Sequence, residues 1–106
     1  MSQYTVESLL DSDDYIMVGF LSESCPACTM VENSVQSFLN DYPELSDKVV
    51  VKMVDSDDNR SLNRELQILF NPTLVMYKGK VEQSRIIGNL TLNDLVNFVN
   101  NALEIK

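Results

Sequence analysis

Apolar residues gather in this chain into two kinds of pattern, short continuous runs and longer stretches with helical spacing. Tyr15-Ile16-Met17-Val18-Gly19-Phe20-Leu21 is a near-continuous run of strand length, as expected of a central strand covered on both faces. Val49-Val50-Val51-Lys52-Met53-Val54 reads the same way and is rich in β-branched residues. Between them Met30, Val31, Ser34, Val35, Phe38 and Leu39 fall on one helical stripe, with Pro43 just beyond its end. Strand, helix and strand in that order make a βαβ unit, so the two strands are expected to run parallel.

The flanking segments complete the pattern. Thr5 caps a short helix through Leu10, with Glu7 in its first turn, and Asp11-Ser12-Asp13-Asp14 breaks it. A further helix is predicted over residues 59–69, with Leu62, Leu66 and Leu69 along one face. Residues 73–77 and 81–87 flank Lys78-Gly79-Lys80, a three-residue loop with glycine that signals a hairpin. Thr91 with Asp94 three residues on resembles a capping box for a last helix, where Leu92, Leu95, Val96, Val99, Ala102 and Leu103 form the apolar stripe. The order helix, strand, helix, strand, helix, hairpin, helix describes an α/β sandwich with a mixed sheet and helices on both faces. No repeat, low-complexity stretch or Pro/Gly-rich linker interrupts it, so a single domain over residues 1–106 is expected.

Composition narrows the function classes. The apolar fraction of 44% is ordinary for a soluble globular protein, and no apolar run approaches the ~20 residues of a membrane span. The start of the chain lacks the basic and apolar regions of a signal peptide, which makes the cytoplasm the expected location. Sixteen acids against eight bases give a net charge of −8, so phosphate backbones and anionic lipid surfaces repel the chain. Neither nucleic acid nor membrane is expected as a partner. The chain has no histidine, which removes the usual general base near neutral pH and the commonest metal ligand.

The candidate chemistry lies in Cys25-Pro26-Ala27-Cys28, which holds the only two cysteines and directly follows the first apolar run. Proline is preferred at the first position of a helix, where its missing N–H would lack an intrahelical partner anyway. That places Cys25 at or near the N-cap, facing free backbone N–H groups and the positive end of the helix dipole, which lowers a thiol pKa. Cys28, a turn further in, is expected to be more buried and higher in pKa. Such an asymmetric pair suits thiol–disulfide exchange: Cys25 attacks a substrate disulfide and Cys28 resolves the mixed disulfide. A purely structural disulfide is the plainer reading, but so short a ring contributes only about 2 kcal/mol by loop entropy. Two thiols and no imidazole fall short of zinc's four ligands, leaving only a metal shared between two chains. Asp55-Ser56-Asp57-Asp58-Asn59 superficially resembles a calcium loop, yet Arg60 and Leu66 stand where that loop needs its glycine and its glutamate. It reads instead as a solvated loop capping the next helix. Asn71-Pro72-Thr73, before a predicted strand, is compatible with a cis peptide.

Taken in order, these segments resemble the thioredoxin family over nearly the whole chain. Residues 20–31 carry the CxxC pattern, residues 71–80 resemble the family's cis-proline strand and turn, and Ile87-Gly88-Asn89-Leu90 its glycine before the last helix. The resemblance implies a thioredoxin fold, with a central mixed sheet of four to five strands flanked by helices on both faces. It implies that Cys25 is the nucleophile and Cys28 the resolving thiol. Pro26, Ala27 and Asn71 would support them, and Pro72 would be a cis-proline that helps bind extended substrate chain. A monomer without a cofactor is expected, reducing protein disulfides and recharged by a separate reductase or by glutathione.

Departures from the family pattern are as specific. Thioredoxins usually carry Trp-Cys-Gly-Pro-Cys; here Ser24 replaces the tryptophan and proline follows the first cysteine, as in glutaredoxins and some oxidases. A glutathione-dependent glutaredoxin is therefore the first alternative, and a non-catalytic thioredoxin-fold binding module the second. Thioredoxins also pair a buried aspartate before the motif with a lysine from the next strand. Gly19 stands at the aspartate position and Val51 at the lysine position, with Lys52 one place on. Asn71 replaces the β-branched residue common before the cis-proline. Its carboxamide offers a hydrogen bond to the Cys25 thiolate or to a bound peptide, unless it is simply a solvated turn residue.

Overall fold

The computed structural model describes residues 4–103. Each apolar run becomes a strand: β1 is Tyr15–Leu21, β2 Val49–Asp55, β3 Thr73–Lys78 and β4 Val81–Ile87. The helices are α1 (Val6–Leu9), α2 (Pro26–Asp41), α3 (Pro43–Ser46), α4 (Arg60–Glu65) and α5 (Leu92–Leu103), with a 3-10 turn over Ser56–Asp58 after β2. The four strands lie in the order β2-β1-β3-β4. β1 and β2 are parallel, as the βαβ unit requires, while β3 runs antiparallel to both β1 and β4. This is the thioredoxin fold: one mixed sheet between two layers of helix.

Alternation along β1 divides the core in two. Met17 joins Val31, Val35 and Phe38 of α2 and Leu95, Phe98 and Val99 of α5 on one face. Ile16, Val18 and Phe20 point to the other, against Leu9, Leu10, Leu62 and Ile68. Burying each large apolar side chain contributes about 1.5–3 kcal/mol. The continuous run in β1 is explained by this double cover, since five consecutive residues are buried. β2 is different. It lies at the sheet edge, with Val50 exposed and residues 51–53 only half buried, so its apolar run does not mark a central strand.

Caps form largely where expected. Thr5 Oγ1 accepts from Ser8 N, and Thr5 N donates in return to Ser8 Oγ. Thr91 and Asp94 make the reciprocal pair that opens α5, at 3.1 Å each way. The hairpin turn is tighter than the three-residue loop read from the sequence, because Lys78 already pairs with Val81 and Gly79 takes a φ of 63°.

The largest departure is α4, which stops at Glu65 instead of continuing to residue 69. Gln67 adopts φ 59°, Ile68 N bonds back to Asn63 O at 2.7 Å and Gln67 N to Arg64 O at 3.3 Å, which is a Schellman termination. Arg85, from β4, donates to the carbonyls of Leu66 and Gln67 and so holds that end in place. Its partner Glu82 is held below the usual carboxylate range by the same guanidinium. Leu69 consequently leaves the apolar face and is exposed.

Candidate active site

Three chain reversals meet at one end of the sheet. Leu21 at the end of β1 is level with Asp55 at the end of β2, and Phe20 with Thr73 at the start of β3. Ser22, Ser56 and Pro72, the next residues outward, therefore come together.

Cys25 stands at this end of the sheet as the N-cap of α2, with Pro26 at the first helical position. Its Sγ accepts a hydrogen bond from Cys28 N at 3.2 Å, and its own N–H donates to Ser22 O. Cys25 is half exposed, whereas Cys28, one turn in, is 3% exposed. The two form a disulfide, with Cα atoms 5.3 Å apart. Pro26 is exposed and Ala27 half buried between the sulfurs. Opposite them the Asn71–Pro72 peptide is cis, and the Asn71 main-chain oxygen lies 3.7 Å from Cys25 Sγ. Pro72 O accepts from Gly88 N at 3.0 Å and Thr73 Oγ1 donates to Phe70 O at 2.7 Å, which pins this loop to β4 and to itself. Cys25, Pro26, Ala27, Cys28, Asn71 and Pro72, singled out in the sequence, thus share one site.

Two features of the site were not legible in that way. The acidic loop after β2 is not merely a solvated cap. Ser22 Oγ donates to Asp57 Oδ2 at 2.9 Å and is 3.1 Å from Ser24 Oγ, while Ser56 Oγ donates to Asn71 Oδ1 at 2.8 Å. Adjacent residues of one turn therefore bind both the loop before Cys25 and the loop before Pro72. The burial of Ser56 depends on its place at the strand end, which local pattern does not report. The second feature is the partner of Gly19. In the β1–β2 register it is Met53, not Val51 or Lys52. An ideal Cβ on Gly19 would stand 3.0 Å from both Met53 Sδ and Leu74 Cδ2, so the place of a buried carboxylate is filled by apolar side chains. Lys52 points away, donating to Leu9 O and to Asp11, whose carboxyl it holds below its ordinary range.

Beside Cys28 opens a cleft of about 500 Å³, lined by Leu21, Ser22, Met53 and three carboxylate residues, Glu23, Glu32 and Asp55. A paired thiol at a helix N-terminus, backed by a buried second thiol and faced by a cis-proline, defines a thiol–disulfide oxidoreductase. The comparisons with known proteins agree. The thioredoxin family model matches residues 2–101. A thioredoxin of Rickettsia prowazekii is 30% identical over 95 residues, covering 90% of this chain and 88% of its own. The bifunctional thioredoxin reductase/thioredoxin of Mycobacterium leprae is 28% identical over 80 residues, which span 76% of this chain and 17% of that one. Among solved structures, the Malassezia sympodialis thioredoxin superposes with a TM-score of 0.82 at 22% identity, covering 96% of this chain and 87% of that one. The chain belongs to the thioredoxin family.

Proposed function

We propose that this protein reduces disulfides in other polypeptides, with Cys25 as attacking thiolate and Cys28 as resolving thiol. The observation that carries this reading is the asymmetry of the pair: Cys25 half exposed at the N-terminus of a sixteen-residue helix, Cys28 buried behind it. Free N–H groups and the helix dipole favour a thiolate on the exposed sulfur, and the other lies buried behind it, within reach of Cys25 but not of a substrate.

In the dithiol form the Cys25 thiolate attacks one sulfur of the substrate disulfide. That bond breaks, a Cys25–substrate disulfide forms, and the departing substrate sulfur takes a proton. Cys28 then loses its proton and attacks Cys25 Sγ, releasing the second substrate thiol and closing the Cys25–Cys28 disulfide. Two electrons have passed to the substrate. With no carboxylate at Gly19, the Cys28 proton leaves through the open cleft beside it, to water and the carboxylates of that wall. A separate reductase returns the two electrons. The relative in which a thioredoxin and its reductase share one chain supports that donor, and the acidic wall of the cleft disfavours anionic glutathione in its place.

A trapping experiment tests the assignment. Cys28→Ser is expected to accumulate a mixed disulfide with a disulfide-bonded polypeptide, seen as a thiol-sensitive band on non-reducing gels. Cys25→Ser is expected to trap nothing, and the wild type to accelerate insulin reduction by dithiothreitol. Equal trapping by both variants, or no acceleration, would sink this reading.

A further inference from the structure

Cys28 must lose its proton before it can resolve the mixed disulfide, and the strand behind it offers no acceptor. Gly19 has no side chain, and Met53 Sδ and Leu74 Cδ2 fill the space where one would stand. Cys28 instead borders the cleft of about 500 Å³, whose other titratable groups are Glu32 from its own helix, Glu23 from the loop before Cys25 and Asp55 from the end of β2. None of the described residues lining it is basic, and Lys52 of β2 is turned away to Leu9 O and Asp11. A cleft of this size, walled by carboxylates, admits water up to the thiol.

Of the three carboxylates, Glu32 is the one that the fold holds toward the sulfur. It follows Cys28 by four residues on α2, which sets the two Cβ atoms about 5–6 Å apart on one face of the helix. Helical side chains lean toward the N-terminus, so Glu32 lies back over the turn that carries Cys28. Glu32 makes no ion pair or hydrogen bond among the described residues, which leaves its carboxylate free to take a proton. Asp55 is committed elsewhere, accepting from Asp57 N at 2.9 Å as the cap of the turn after β2. Glu23 is exposed on a loop, where no regular element aims it at the thiol. We propose that Glu32 is the proton acceptor for Cys28 in the resolving step, acting through water in the cleft. The Cys28 proton passes to Glu32, and the electron pair left on Cys28 Sγ forms the bond to Cys25 Sγ. The Cys25–substrate bond breaks, its electron pair leaves on the substrate sulfur, and that sulfur is protonated from solvent. Glu32 then returns its proton to solvent through the open cleft. The assignment rests on the roles of Cys25 and Cys28 given above.

Stopped-flow mixing of the dithiol protein with one equivalent of 4,4′-dithiodipyridine, a neutral aromatic disulfide, separates the two steps. The first thione released reports attack by Cys25, and the second reports resolution by Cys28. Glu32 is an exposed helical residue and glutamine a good helix former, so Glu32→Gln is expected to fold. It is expected to lower the ratio of the second rate to the first about tenfold at pH 7. The deficit is expected to close as pH rises toward about 10, where Cys28 ionises into solvent without an acceptor. Added acetate, which the open cleft admits, is expected to restore part of the second rate in Glu32→Gln at pH 7. An unmoved ratio overturns the proposal. So does a faster second phase, the result if the Glu32 charge merely keeps the thiol protonated. A deficit that persists at high pH also overturns it, because the side chain then only shapes the helix. Equal slowing by Glu23→Gln or Asp55→Asn overturns the choice of Glu32. If Cys28→Ser still releases the second thione, the roles of the two cysteines fall and this assignment with them. If Cys28→Ser abolishes that phase and only Glu32→Gln fails to slow it, the assignment to Glu32 alone is lost.

Discussion

Gly19 occupies the point in β1 from which a side chain would reach toward Met53 and Leu74, behind the cysteines. Its neighbours are apolar, so a carboxylate introduced there has no partner. Gly19→Asp is expected to destabilise the protein by about 3 kcal/mol at pH 8, the cost of an uncompensated buried charge. The sign of the pH dependence follows. Burial raises the folded-state pKa of the new aspartate above its unfolded value, so the loss grows as pH rises from the unfolded pKa to the folded one. Urea unfolding at about pH 4 and pH 8 is expected to show the larger loss at pH 8; equal losses would mean the carboxylate reaches solvent. At this scale the sequence was informative where chemistry is local. Cys25, Cys28, Pro26 and Pro72 act through residue type and spacing along the chain. Met53 was missed because its pairing with Gly19 is a register across strands separated by a helix: Val51, two residues earlier, lies on the same face of β2 and fits the local pattern equally well.

Helix ends carry the next lesson. The apolar spacing of Leu62, Leu66 and Leu69 continues past the point where α4 ends, because periodicity records which residues are apolar and not where the backbone turns. What ends the helix is the left-handed conformation of Gln67, a position that usually holds glycine, supported by the guanidinium of Arg85 from another strand. Gln67→Gly is expected to stabilise the protein by about 1 kcal/mol, since it removes the Cβ penalty at positive φ. Equilibrium denaturation reads this directly, and a loss of stability would show that the Gln67 side chain outweighs its backbone cost. By contrast β1, α2 and α5 were legible as elements. β1 is one continuous apolar run of strand length, while α2 and α5 keep helical spacing and their starts are marked by Pro26 and by the Thr91–Asp94 cap.

On the scale of the molecule, a net charge of −8 surrounds a site whose cleft is itself walled by Glu23, Glu32 and Asp55. Anionic disulfides are repelled and the repulsion is screened by salt. The rate of oxidation of the dithiol protein by oxidised glutathione is expected to rise several-fold between about 10 mM and 200 mM salt, while that by 2-hydroxyethyl disulfide stays flat. Stopped-flow measurement checks this. A rate with glutathione that falls with salt would reveal a local cationic site and favour a glutaredoxin.

Chain order and residue type were enough to establish the βαβ unit, the cysteine pair at a helix start, the proline before β3 and hence the family. Those features depend on neighbours within a few residues, where stereochemistry and periodicity act directly. Long-range pairing set the rest: β2 at the edge, Met53 against Gly19, and the Ser56–Asp57 turn bridging the loops of Cys25 and Pro72. Each joins residues far apart along the chain, and the register and packing that bring them together are properties of the whole sheet.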